Sequence, residues 1–299
     1  MTLVLPSNEE CYRQLMNDAD CAPRQLFALL EQFSRERDLL ETGFQENLPS
    51  QFHELFWELY LPAAFDRFGF ALKRGRALRE PDFRFHCGDR TVFVEAVACG
   101  EPAKDENRVA PPSLSVDSDF EDGFAPDAAI MQRLAQAIDE KIKKLNRPEA
   151  LTTMQQSGKY CVVIALNGNR AVNGHPHDDI PIAPPFVVRT VFGAIDAWHN
   201  QTAGTFWRQG ARIRRGTATV PVAHFHSPTW STKAGETWDV QHIAGILFSK
   251  ATAWHTAAGR GDDFLFVQNP HGPDLTQLFS FCPRGVWVSE GETIKMIQP

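Results

Sequence analysis

Several common classes of function are excluded by what this chain lacks. Its six cysteines (Cys11, Cys21, Cys87, Cys99, Cys161 and Cys282) are scattered through 299 residues, with no C-x-x-C pair. That spacing argues against a disulfide framework and points to reduced thiols in a reducing compartment. No window approaches 18 consecutive apolar residues, so no transmembrane helix is expected. The first residues, MTLVLPSNEECYRQLM, lack a basic stretch followed by a long apolar run, so no signal peptide is expected. The expectation is a soluble cytoplasmic protein. Positive charge is not in excess either: the net charge is −7 and the pI about 5.8. Indiscriminate nucleic-acid binding needs clustered Lys and Arg, so only a local basic groove is compatible. No G-x-S-x-G elbow, Walker loop or Rossmann fingerprint occurs, and Ser227, His226 and Asp239 do not make a hydrolase triad. Internal repeats and low-complexity tracts are absent as well.

What is present suits a sizeable core. Hydrophobic residues make up 43%, with 22 Phe against 3 Tyr. Residues 7–18 and 24–40 read as helical, the second through Leu26, Leu29, Leu30 and Phe33. Ser50 is a candidate N-cap for a strong helix from Gln51 to Phe68, closed by Gly69, with Pro62 a candidate kink. Phe70–Leu72 reads as a short strand, and 82–87 with 91–98 as a hairpin around Gly88-Asp89. Residues 100–126 form a long acidic excursion of the kind used as a functional lid or found as a disordered insert. Asp127 starts a helix that runs to about Asn146. Tyr160–Leu166 (YCVVIAL) is a continuous apolar run, the mark of a strand buried on both faces. Residues 167–185 read as loop, Phe186–Trp198 as helix, and the chain from about 204 as mainly strands, with 240–249 ambiguous. This order predicts a mixed α/β sheet with helices on its faces. One domain is expected over 1–299, with an N-terminal helical segment (1–50), a core (51–170) and a C-terminal α/β extension (171–299).

The chemistry concentrates in Arg79–Cys99, REPDFRFHCGDRTVFVEAVAC. Asp82 opens one strand, and Glu95 interrupts an otherwise apolar second strand of Val92, Phe93, Val94, Ala96, Val97 and Ala98. A glutamate inside such a run is costly to bury without a positive partner. On the preceding helix, Glu54 and Glu58 share one face. On the helix after the hairpin, Ile130, Met131, Leu134, Ile138, Ile142 and Leu145 span an arc of roughly 120°. Lys141 falls inside that arc, Lys143 and Lys144 outside it. A lysine in a core-facing stripe either snorkels to solvent or meets an interior anion.

Pro81-Asp82, twelve residues and then Glu95, with a helical glutamate upstream, resembles the PD-(D/E)XK nuclease superfamily. Glu58, eleven residues before Gly69, matches the helical glutamate of the Holliday-junction resolvase-type members. The resemblance covers residues 51–167. It implies a restriction-endonuclease-like α-β-β-β-α-β core, with the flanking regions as elaborations. It also implies metal-dependent hydrolysis of phosphodiester bonds, with DNA as the expected substrate. Asp82, Glu95, Glu58 and the Ala96 carbonyl would be ligands of Mg²⁺ or Mn²⁺, hard cations that prefer oxygen. The motif lysine should stand two residues after the glutamate, where this chain has Val97. Some families carry that lysine on the neighbouring helix, and Lys141 is the matching position. The alternative is a catalytically silent relative that binds nucleic acid or a protein partner. A homodimer is a further expectation.

Other clusters are weaker. Arg133, on the lysine-bearing helix, is a candidate substrate contact. So are Arg212, Arg214 and Arg215, which with Arg208 form the basic run WRQGARIRRG. As a bland alternative that run is a charged edge that discourages aggregation. His175, His177, Asp178 and Asp179, with His224 and His226, could form a zinc site, but a solvated loop and a sheet pair explain them as well.

Overall fold

A computed structural model describes residues 7–17, 21–76, 79–99, 127–172, 184–200, 204–209, 212–215, 218–221, 224–231, 235–254, 260–290 and 293–297. The acidic excursion at 100–126 and the His175–Asp179 cluster lie outside them.

Four helices lead in: α1 (Asn8–Asn17), α2 (Ala22–Glu36), α3 (Phe44–Asn47) and α4 (Phe52–Arg67). Helix α2 ends before the expected position, because Asp38 adopts a left-handed φ of 56°. Helix α4 has Gln51 rather than Ser50 at its N-cap position, without a side-chain capping bond; it continues through Pro62 and stops ahead of Gly69, whose φ of 84° suits glycine. It is apolar nearly all round, burying Phe52, Leu55, Phe56, Trp57, Leu59, Tyr60 and Phe65.

Next come β1 (Lys73–Arg74), β2 (Phe83–Cys87) and β3 (Arg90–Ala98), then α5 (Asp127–Leu145), α6 (Pro148–Gln155) and β4 (Tyr160–Asn167). The remainder holds α7 (Asn169–Val172), α8 (Phe186–Phe192), β5 (Ala194–Asn200), β6 (Gly204–Gln209), β7 (Arg212–Arg215) and β8 (Ala218–Pro221). Then follow β9 (Thr229–Ser231), β10 (Thr237–Asp239), β11 (Ile243–Ser249), β12 (Leu265–Gln268), β13 (Val286–Glu290) and β14 (Thr293–Ile297). Three expectations change here. The stretch 167–185, expected as loop, holds the short helix α7. The first strand forms at Lys73–Arg74 rather than at Phe70–Leu72. The helix expected over 186–198 ends after two turns at Gly193, with φ 67°, and the chain continues as β5, paired with β6.

Among the described residues, ten strands form one mixed sheet in the order β1-β2-β3-β4-β11-β12-β13-β14-β6-β5. The meander β1-β2-β3 is antiparallel, and the crossover through α5 and α6 makes β4 parallel to β3. Strand β11 then adds parallel to β4, which buries YCVVIAL on both edges and both faces. Alternation along β3 splits its side chains. Val92, Val94 and Ala96 face the cluster built by α1, α2 and α4, while Phe93 joins that of α5 and α8. The sheet is thus covered by helices on both faces. No helix among the described residues is long and apolar enough to cross a membrane.

Candidate functional site

Register brings the acids of the hairpin together. Phe83 stands opposite Val94, so β2 ends just where β3 reaches Glu95. Beyond that point the Ala96 N–H loses its strand partner, and the Asp82 carboxylate replaces it: the amide donates to Oδ2 at 2.8 Å. In a strand a residue's N–H and C=O point to the same side, so the Ala96 carbonyl also faces Asp82. Ala96 pairs in register with Ala165 of β4, and the Trp57 indole donates to the Ala165 carbonyl at 2.9 Å. That buried bond fixes the height of α4 against the sheet at the level of Asp82. Glu58, the next residue, is thereby set beside the diverging strands.

Glu95 is fully buried and, like Phe93 and Val97, lies on the α5 face. Lys141 Nζ donates to its Oε1 at 2.7 Å, and Lys144 Nζ to the same oxygen at 2.6 Å. The lysine side chains are 22% and 35% exposed, so each reaches inward from the protein surface. Burial alone would lower the Lys141 pKa. The Glu95, Asp82 and Glu58 carboxylates outweigh it and hold the ammonium above the ordinary lysine value. The second oxygen of Glu95, Oε2, is buried without a hydrogen-bond partner.

Glu58 occupies the other side of the site. Its Oε2 accepts from Arg74 Nη1 at 2.5 Å, and Arg74 Nη2 reaches Glu41 at 3.2 Å. The Arg74 guanidinium also lies over the Phe83 ring, 5.1 Å from its centroid. Burial pushes the Glu58 carboxyl up from 4.5 to about 7; Arg74 opposes this, while Asp82 and Glu41 add to it. Four carboxyl groups (Glu41, Glu58, Asp82, Glu95) thus share three cations (Arg74, Lys141, Lys144).

The loop before Asp82 is tightly built. Gly75 N–H donates to the Asp82 carbonyl at 2.9 Å, and a Cβ on Gly75 would lie 2.1 Å from the Pro81 oxygen. Arg79 takes a left-handed φ of 64°. The buried Glu80 carboxylate accepts from the Arg76 amide at 2.9 Å and from Arg84.

The structure thus brings Asp82, Glu95, Lys141 and the Ala96 backbone into one cluster, with Glu58 in electrostatic reach. Arg133 stands on the same helix, near enough to Cys99 to oppose the rise of its thiol pKa. Arg212, Arg214 and Arg215 lie on β7, which with β8 forms a separate two-stranded ribbon packed against α5. His224 is buried against the Trp230 ring, 4.1 Å between centroids, and burial pushes its pKa down to about 4, whereas His226 is exposed. Two site residues are missed by sequence reasoning. Lys144 falls outside the apolar arc but, three residues from Lys141, shares its side of α5. Arg74 sits in a two-residue strand with no pattern to mark it. Its signal is charge density: Lys73, Arg74, Arg76, Arg79 and Arg84 fall within twelve residues.

Among the described residues, no three His, Cys, Asp or Glu side chains stand close enough to hold an ion as placed. The donors nevertheless suit a hard cation: they are all carboxylate or carbonyl oxygens, and one buried oxygen of Glu95 is orphaned. Lys141 and Lys144 occupy Oε1, so Oε2 is the Glu95 oxygen left for an ion.

No family model matches the chain, and comparison with curated proteins and with solved structures found no match either.

Proposed function

We propose that the chain is a metal-dependent nuclease that hydrolyses phosphodiester bonds in DNA. One observation carries the reading: Lys141 reaches from α5 to Glu95 at 2.7 Å, beside Asp82, where the resemblance calls for a lysine that Val97 does not supply. The order α4-β1-β2-β3-α5-α6-β4, with a parallel crossover, is compatible with a nuclease-like core to which α6 is an addition.

Asp82, Glu95 and the Ala96 carbonyl would hold Mg²⁺ or Mn²⁺, with Glu58 completing the set. The bound ion would supply charge against the phosphate oxygens and lower the pKa of the attacking water. Lys141 presents donors to the scissile phosphate and opposes the negative charge that builds there. Lys144 neutralises Glu95 alongside it. Without the ion Glu58 titrates at about 7; binding the ion would favour its ionised form. Arg74 sets its orientation.

A second reading, a silent relative that binds nucleic acid, is favoured by the two ammonium groups on one Glu95 oxygen, where a cation would otherwise be held. One assay separates the two. Purified protein is incubated with plasmid, linear duplex, single-stranded DNA and RNA, with Mg²⁺ or Mn²⁺. The nuclease reading expects cleavage that disappears in EDTA and in Glu95→Ala. No cleavage of any substrate, together with no divalent-ion binding by calorimetry, refutes it.

A further inference from the structure

The basic residues around Gly75 are not explained by the cluster at Glu95. Lys73, on the edge strand β1, and Arg76 and Arg79, between it and Pro81-Asp82 in the sequence, are all exposed. Arg76 is 63% exposed and Arg79 43%. In a chain of net charge −7, five of its 30 basic residues lie at 73–84. Gly75 approaches Pro81 closely, and the buried Glu80 accepts from the Arg76 amide.

The partners of these arginines are informative. The turn after α2 lays Asp38 on Arg76 and Glu41 on Arg74. Arg76 Nη2 also donates to the Asp38 carbonyl at 3.1 Å. Asp38 holds its position with a left-handed φ of 56°, unusual for a non-glycine residue. Two carboxylates three residues apart thus cover two arginines on either side of Gly75. Asp38 is 80% exposed, and an ion pair so exposed is weak enough for another anion to displace.

Resting on the nuclease reading, we propose that Lys73, Arg76 and Arg79 form a basic strap that contacts the backbone of duplex DNA, and that its phosphates compete with Asp38 for Arg76 and with Glu149 for Arg79. The strap ends at Asp82, so a strand lying along it delivers a phosphate to the acids and lysines of the site. Contacts of this kind set register and carry no sequence information. The N-terminal helical segment then tunes affinity from outside the site, through one turn.

The test is binding of a fluorescent 20-base-pair duplex by the full chain in EDTA, at a series of salt concentrations. Each phosphate interaction removed should flatten the slope of log affinity against log salt by about 0.9. Lys73→Ala/Arg76→Ala/Arg79→Ala should therefore lower the slope by about 2 to 3. Arg74 is left intact because it holds Glu58. Asp38→Asn, which keeps a residue tolerant of positive φ, should tighten binding by up to about fivefold. A gain of binding cannot come from misfolding. If the wild type binds duplex DNA and both variants match it in slope and affinity, the strap proposal is wrong and the nuclease reading stands. If the triple variant keeps its DNA binding but loses binding to polyglutamate, the strap serves an acidic protein instead, which also overturns the proposal. If the wild type binds no duplex, single strand or RNA at the lowest salt, the nucleic-acid reading itself falls.

Discussion

Replacing Glu58 by Gln isolates the electrostatics of the site without relying on any catalytic assay. In the folded chain this carboxyl titrates at about 7 instead of 4.5, chiefly because it is buried, with Asp82 and Glu41 as like-charged neighbours. Between those two values the folded state holds a proton that the unfolded state has released. Stability from this group is therefore fully present below pH 4.5 and lost as pH rises through 7. At about 1.36 kcal/mol per unit, the loss is about 3 kcal/mol at most, and solvent at the exposed fifth of the side chain trims it to about 1 to 3. Gln keeps an oxygen for Arg74 but cannot ionise. The histidines run the other way: burial and Arg170 lower His53 to about 3, and burial lowers His224 to about 4, so they lose stability as pH falls from 6.5. The quantity to read is accordingly the difference between wild type and Glu58→Gln in urea unfolding, from pH 4.5 to 8.5. The variant should gain about 1 to 3 kcal/mol relative to wild type across that span, and saturating Mg²⁺ should shrink the gap by favouring the ionised carboxylate. A difference that stays flat with pH would refute the burial argument for Glu58.

Lys141→Met should reduce Mg²⁺-dependent cleavage by about 10² to 10³ in kcat, the scale of one preorganised electrostatic donor, with Lys144→Met losing less. Full activity in Lys141→Met ends the migrated-lysine idea. Trp57→Phe should cost about 1 to 3 kcal/mol in denaturant unfolding, since it removes the buried indole bond to Ala165. Gly75→Ala drives a Cβ against the Pro81 carbonyl, so Asp82 must shift; cleavage should fall more than thermal stability does.

The parts of this molecule that can be read from the chain are those where one local pattern decides. Helices α4 and α5, the hairpin around Gly88 and the apolar strand β4 carry strong periodicity, and Glu95 stands out by interrupting an apolar run. Lys141 is visible because it breaks a helical stripe. Lys144 is not, because it lies just outside the apolar stripe, and only its long stem carries the ammonium in to Glu95. Arg74 is hidden because its partners, Glu58 and Glu41, lie 16 and 33 residues away. Strand β5 is lost in an apolar stretch that reads as one helix, since only the left-handed Gly193 divides it. Residues 240–249 are ambiguous alone; 243–249 become a strand because β4 and β12 clasp them from both sides.

That last placement has a consequence for synthesis. Strand β4 is complete at Asn167, yet its second edge is paired by β11, whose last residue is Ser249. For some 80 residues of elongation the emerging chain therefore carries a bare edge of Tyr160–Leu166, an apolar segment of the kind that pairs with other chains. A nascent polypeptide stalled before residue 243 should recruit chaperones through the edge of β4, while one extended past Ser249 should have that edge covered and present the edge of β11 until β12 follows. Ribosome-bound chains of graded length, assayed for protease resistance, would show the sheet closing as β11 clears the exit tunnel.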